Sequence, residues 1–227
     1  MKKKITFLVL SALMFGTFIS TLKSQDSLSV LTGADIYSNY IWRGSKIAGV
    51  SMQPSVKFIY GGLTAGVWGS YGLKQTATGL GLYVETDPYV SYTLPIGLSV
   101  GATDYYYEGD FSNLSDTLGS HAFEANVGYT LGSLSLSANY IFNKAPGAGS
   151  IGKDTYVQAG YTFSKFNIFL GAGNGWHTAD TKFAVCNVGI GSSKTISVTD
   201  KFSIPVTGQF VVNPDKKQIF FVVGFTL

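Results

Sequence analysis

The chain of 227 residues is 45% hydrophobic and 15% aromatic but only 13% charged, against about 25% charged for an ordinary soluble domain. Fourteen Tyr, 16 Phe and 3 Trp exclude intrinsic disorder, and Cys186, the single cysteine, excludes a disulfide scaffold and a zinc cluster. The net charge of +3 is no nucleic-acid footprint, because four of the 16 basic residues lie in the first 23 positions and the rest of the chain carries 12 basic against 13 acidic residues.

Lys2, Lys3 and Lys4 precede the apolar run Ile5 to Ile19, the pattern of a secretory signal peptide. Residues 1–25 are expected to be a cleaved export signal, with the mature chain, 26–227, beginning near Asp26. An uncleaved anchor is the alternative: Ile5 to Leu22 is uncharged and long enough to span, and Leu22-Lys23-Ser24-Gln25 offers no clean small-x-small site. Export places everything downstream in the periplasm, in the outer membrane or outside the cell.

Beyond Gln25 no apolar run approaches the roughly 18 residues of a spanning helix, yet the chain stays apolar throughout. Alternation accounts for this. Leu63, Ala65, Val67 and Tyr71 alternate with Thr64, Gly66, Trp68 and Ser70; Leu134, Leu136, Ala138, Tyr140 and Phe142 alternate with Ser135, Ser137, Asn139 and Asn143; Ile219, Phe221, Val223, Phe225 and Leu227 share one parity at the end of the chain. A period of two is the signature of a strand with one apolar face.

Turn signals at Gly61-Gly62, Leu94-Pro95-Ile96-Gly97, Leu131-Gly132-Ser133, Ser164-Lys165 and Thr199-Asp200-Lys201 recur at gaps of 34, 37, 33 and 35 residues. Each gap fits two strands, one short turn and one longer loop. The loops are expected near Arg43–Gly49, Lys74–Gly81, Glu108–Leu118, Lys144–Gly152, His177–Lys182 and Asn213–Lys217, none long enough to fold inward as a large plug. The expected fold is all-β: a single closed antiparallel transmembrane β-barrel of about 12 strands, with short periplasmic turns and longer extracellular loops. In lipid only closure satisfies every backbone group of such strands.

Two aromatic girdles follow from that arrangement. Tyr60, Tyr92, Tyr129 and Tyr161 precede short turns, and Trp42, Tyr71, Tyr106 and Trp176 precede long loops. The competing fold, a soluble sandwich or lipocalin-like barrel, would need charge on its outward parity, which here is almost free of it. Asp104 is the irregularity: it shares parity with Leu98, Val100 and Ala102, so it lies at headgroup level or a bulge reverses the register before Tyr105.

With the apolar parity given to lipid, the lumen receives Asp35, Asn39, Arg43, Lys57, Trp68, Glu85, Asp87 and Glu124. Symmetrical pairing about the first loop sets Asp35 opposite Lys57. These residues either line a solute path or fill the barrel as a structural network. Four inward acids against two inward bases give a mild bias toward cations. Of the two histidines, His121 shares the lipid-facing parity of Phe123 and His177 falls in a loop; neither has a nucleophile beside it, so no catalytic residue is expected. Cys186 shares parity with Val188 and Ile190 and reads as a small apolar residue. Neither metal ligands nor cofactors are expected. The expected partners are outer-membrane lipids, a small solute and, through the C-terminal strand, the barrel-assembly machinery.

The segment Ser38-Asn39-Tyr40-Ile41-Trp42-Arg43-Gly44 resembles the opening motif of the TorF family of porin-like proteins, also known as the Gcw-chp conserved hypothetical family. Ala65-Gly66-Val67-Trp68-Gly69-Ser70, Glu85-Thr86-Asp87-Pro88-Tyr89 with Tyr92, and Tyr105-Tyr106-Tyr107 followed by Glu124 resemble its later blocks in order. The likeness covers residues 31–130 and loosens afterwards; Asn39 stands where Asp is expected. The resemblance implies a bacterial outer-membrane barrel with a transport role. The function expected is passive diffusion of small hydrophilic solutes through a narrow polar lumen. The alternatives are a closed structural or adhesive barrel and a lipid-modifying barrel enzyme.

Overall fold

A computed structural model describes residues 27–75, 82–115 and 117–227. The expected export signal therefore lies outside the described residues, as does most of the loop expected at Lys74–Gly81. Twelve antiparallel strands close into one barrel: β1 (Ser29–Tyr37), β4 (Ser51–Tyr60), β5 (Leu63–Gln75), β6 (Leu82–Thr93), β7 (Leu98–Tyr107), β8 (His121–Leu131), β9 (Leu134–Ile141), β10 (Asp154–Thr162), β11 (Asn167–Gly173), β12 (Ala184–Thr199), β13 (Phe202–Asn213) and β14 (Gln218–Thr226). Strands β2 (Tyr40–Trp42) and β3 (Ser45–Ala48) form a separate two-stranded hairpin.

All five short turns fall where the sequence signals them, four at Gly, Pro or Asp and one at Ser164-Lys165. Gly61, Gly97 and Gly132 have φ of +56°, +84° and +58°, the left-handed backbone that glycine supplies without a Cβ clash. The barrel closes where β1 meets β14, through the pairs Asp35 with Thr226, Ile36 with Phe225 and Tyr37 with Gly224. Gly224 is required at this seam, since a Cβ there would meet the Tyr37 ring at 2.2 Å.

Alternation decides which side chains face out. Phe221 is 66% exposed, Leu170 52% and Val127 45%, whereas their strand neighbours Val222, Gly171 and Asn126 are buried. Every strand carries this apolar outer face. In water it would be a continuous hydrophobic surface far beyond the few hundred Å² a soluble protein tolerates; in lipid it is the stable arrangement. The molecule is a membrane-embedded β-barrel. Among the described residues no helix is long and apolar enough to cross a membrane, and the strands make the crossing instead.

The backbone decides between the two alternatives at Asp104 and corrects two other local expectations. The register through Asp104 is continuous, with Asp104 opposite Phe123 and Tyr105 opposite Ala122, so no bulge precedes Tyr105 and Asp104 faces outward. Asp35 stands opposite Gln53, and Lys57 opposite Leu31. The pairing is centred on residue 44, because Tyr37 and Ser51 are the last pair before the loop. Cys186 is the extra residue of a bulge: Gly171 pairs with Asn187 and Ala172 with Val185. It therefore leaves the lipid-facing parity and is buried.

Candidate functional site

The first long loop, residues 38–50, turns into the barrel and crosses it. Its hairpin folds back at Arg43-Gly44, with φ of +48° and +80°, the two left-handed residues of a tight hairpin turn. Left-handed backbone at an arginine costs on the order of 1 kcal/mol, so the surroundings must hold it. They do so on all sides. Tyr40 meets Trp68 on β5 and Tyr83 on β6 with centroids 5.5 and 6.1 Å apart. Trp42 packs at 5.4 Å on Tyr105 of β7 and at 5.2 and 5.1 Å on Trp176 and His177 of the β11–β12 connection. The Gly44 carbonyl accepts from Asn213 Nδ2 at 3.1 Å, and Lys216 Nζ donates to Ser45 Oγ at 2.8 Å. One element thus touches the wall from β5 round to β13.

Arg43 is the centre of that span. Its guanidinium lies 4.6 Å from the ring centroids of both Trp42 and Tyr156, a stacking worth up to about 2 kcal/mol per ring when desolvated. Nη1 and Nη2 donate to Glu124 Oε2 and Oε1 at 2.6 and 2.9 Å, the two-pronged geometry an ammonium cannot reproduce. Glu124 also accepts from Tyr105 Oη at 2.9 Å and Asn126 Nδ2 at 2.6 Å. Asn126 continues to Asn139 Oδ1 at 3.0 Å and accepts from Thr103 Oγ1 at 2.9 Å. Both oxygens of the buried carboxylate are therefore hydrogen-bonded, the condition under which a buried charge pair is tolerated. His177 Nε2 sits 3.4 Å from Arg43 Nη1. Burial, reinforced by the Arg43 and Lys216 charges, holds this imidazole neutral, well below its ordinary pKa.

Beyond Arg43 a second network joins Asn187 Nδ2 to Tyr156 Oη at 2.8 Å and Gln158 Oε1 at 3.1 Å. Asp154 accepts from Ser150 and from the Trp176 backbone N–H. On the opposite wall, Tyr83 Oη donates to Glu85 at 2.7 Å. Toward the short turns the inner face mixes small and large side chains. Gly66, Ser91, Ser99, Gly101, Ser137 and Gly160 share the wall with Lys57, Tyr89 and Phe169, the Tyr89 ring lying over Gly66 and the Phe169 ring over Gly189.

Several expected site residues converge here. Arg43, Glu85, Asp87 and Glu124 are buried on the inner side, and Trp68 packs on the hairpin. Asp35 and Lys57 are on the inner face, with Asp35 bonded to Thr226 across the seam. Asn39 is not on the first strand, which ends at Tyr37, but in the link to the hairpin. Arg43 reaches the lumen from the hairpin tip for the same reason, and the expectation that no loop is long enough to fold inward as a large plug is corrected: a 13-residue loop, 38–50, reaches across the interior.

The outer-girdle assignment fails for Trp42 and Trp176. They lie against each other and against buried Tyr105, because the loops that carry them fold over the barrel mouth. Tyr60, Tyr71, Tyr92 and Tyr161 are exposed on the outer face, Tyr129 shares its parity, and Tyr106 stacks on His121. Tyr40, Tyr83, Tyr105, Tyr156, Asp154 and His177 were not anticipated. The inward parity of Tyr156 with Gln158, and of Tyr83 with Glu85, was the readable signal for two of them.

A second polar cluster sits on the outer face. His121 Nδ1 lies 2.8 Å from Asp104 Oδ2, and Nε2 donates to the Phe111 carbonyl at 3.0 Å. The ring stacks on Tyr106 and Phe123 and meets Phe111 edge-on. His121 thus ties the 108–120 loop to the wall. In His121→Phe the stacking is preserved and both polar bonds are lost, so a glutamate-specific protease is expected to cut at exposed Glu108 several-fold faster; equal rates would show that apolar contact alone holds the loop.

No family model matches the chain, and no curated protein matches it. Among solved structures it is similar to the COG4313 outer membrane channel from Pseudomonas putida F1, with 13% identity over 86% of this chain and 93% of that one and a TM-score of 0.42.

Proposed function

We propose that this protein is a bacterial outer-membrane channel for passive diffusion of small hydrophilic solutes, shut in the present conformation by the β2–β3 hairpin. The observation that carries this reading is the source of the obstruction. The rings and charges that close the barrel centre are brought together by one loop that hangs from two paired strand ends. A barrel built only as a scaffold has no need to close itself with a separable element; filling the interior from every strand would serve, as in eight-stranded barrels. The TorF resemblance in residues 31–130 agrees with a transport role, and the apolar outer face with a place among outer-membrane lipids. Glu85, Asp87, Glu124 and Asp154 outnumber Arg43 among the buried inner charges, which favours cations over anions along the path.

Planar-bilayer recording tests the proposal. Tyr37 and Ser51 pair directly, so residues 38–50 can be replaced by a short Gly-Ser turn without moving the strands. The native protein is expected to open briefly and rarely, and the short-turn protein to conduct continuously, with a reversal potential on the cation side in a potassium chloride gradient. Silence from both proteins would sink the channel reading in favour of a closed structural barrel; an anion-side potential would reverse the selectivity.

A further inference from the structure

On the wall of β5 and β6, Trp68 stands opposite Asp87 and Ser70 opposite Glu85. One strand further, Tyr107 is opposite Glu85. Ser70, Glu85 and Asp87 are all at most 1% exposed, yet they are served unequally. Glu85 receives the Tyr83 hydroxyl at 2.7 Å, with Tyr107 directly across the strand from it. Neither oxygen of Asp87 has a hydrogen-bond partner, and neither does Ser70 Oγ. The Tyr106 backbone N–H is directed at Asp87 but falls short of hydrogen-bond geometry. The nearby cation, Arg43, is committed to Glu124.

A buried carboxylate with no donor is among the costliest arrangements a protein can hold, and native structures leave few such atoms unexplained. A proton on Asp87 would remove the charge but leave its carbonyl oxygen and the Ser70 hydroxyl unmatched. A cation uses all three oxygens together.

We propose that Ser70, Glu85 and Asp87 form a binding site for one hard divalent cation of the calcium class. Two carboxylates supply charge of the right magnitude, and the hydroxyl is a neutral oxygen donor of the kind calcium accepts in its irregular shells of six to eight oxygens. The absence of nitrogen and sulfur donors selects against zinc and copper. Among the described residues no group of three or more His, Cys, Asp or Glu is placed to hold a metal, so the remaining coordination falls to water or a tyrosine oxygen. The bound ion would draw β5 and β6 together beneath Tyr40, bracing the wall on which one end of the hairpin rests. The inference does not depend on whether the barrel conducts.

Terbium, a calcium mimic whose emission is sensitised by nearby indole and phenol rings, provides the test; Trp68 and Tyr83 are placed to sensitise it. Refolded, metal-stripped protein is expected to give saturable terbium emission that calcium displaces and sodium at equal ionic strength does not. Asp87→Asn should weaken binding by about 10–100-fold, the scale seen when metal-site support is removed. Ser70→Ala should weaken it less, and Asp110→Asn, in an exposed loop, should leave it unchanged. Far-UV circular dichroism confirms that each variant is folded; if Asp87→Asn does not fold, Ser70→Ala carries the test. Calcium should also raise the urea midpoint of the native protein and not that of the weakened variant. Absence of sensitised emission, or equal affinity in native protein and the folded variant, would overturn the proposal.

Discussion

Arg43→Ala is expected to lower the stability of the folded barrel by about 3–5 kcal/mol, the usual cost of removing one partner from a buried ion pair, and to raise the fraction of time the barrel conducts. The size follows from what remains behind. Glu124 keeps Tyr105 and Asn126 but loses both guanidinium prongs, so a fully desolvated carboxylate is left short of positive charge. The rings of Trp42 and Tyr156 lose the cation stacked between them. Arg43→Lys should fall between native and Ala, because an ammonium restores charge but neither the fork nor the flat stacking surface. Adding Glu124→Gln to Arg43→Ala should recover part of the loss, since the uncompensated charge goes with it. Urea midpoints in lipid vesicles measure these differences, and additivity of the two single substitutions would show that the pair is not coupled.

Gly44→Val is expected to expel the hairpin while leaving the barrel intact. A Cβ at residue 44 would lie 1.9 Å from the Cys186 carbonyl oxygen and 2.9 Å from its carbon, and both obstacles are strand backbone that cannot rotate aside. A β-branched residue at φ +80° adds about 1–3 kcal/mol of strain. The hairpin's turn must therefore either rebuild or leave its seat. Arg43 is buried in the native protein, so trypsin should leave that bond intact in native protein and cut after Arg43 in the variant, with far-UV circular dichroism unchanged. Gly61→Ala is the control: φ is +56° but nothing lies within 4 Å of its Cβ position, so it should cost only about 1–2 kcal/mol and leave Arg43 protected. Protection of Arg43 in Gly44→Val would show that the wall yields instead.

The barrel could be read from the residues because its cause is local: each strand writes its two faces with a period of two, and four of the five short turns carry Gly, Pro or Asp. The candidate site was legible only in part, for reasons that differ by residue. Glu85, Asp87 and Glu124 lie on regular strands, where parity assigns the face. Arg43 was given the right side through the wrong strand. Ser38-Asn39-Tyr40-Ile41-Trp42 carries the apolar and aromatic content of a strand end, and nothing in that string states that the chain has left the wall after Tyr37. Trp42 and Trp176 precede loops just as belt residues do; what draws them inward is each other, and their contact spans residues far apart in the chain. Asp104 did announce itself as an anomaly, and its explanation was His121, 17 residues away. The bulge at Cys186 had no sequence mark, since one extra residue in an apolar strand leaves composition unchanged.

The anchors of the hairpin carry a consequence for assembly. Gly44 and Ser45 are tied to Asn213 and Lys216, 169 and 171 positions along the chain, and the cylinder itself is laced shut by three residue pairs between its first and last strands. Contacts so distant form late, after the intervening chain has paid its ordering entropy. The hairpin can therefore rest on β5 to β8 early, through Tyr40, Trp42 and Arg43. Its tip is fastened at Gly44 and Ser45 only once the far end of the chain has arrived, so completing the wall also fixes the insert.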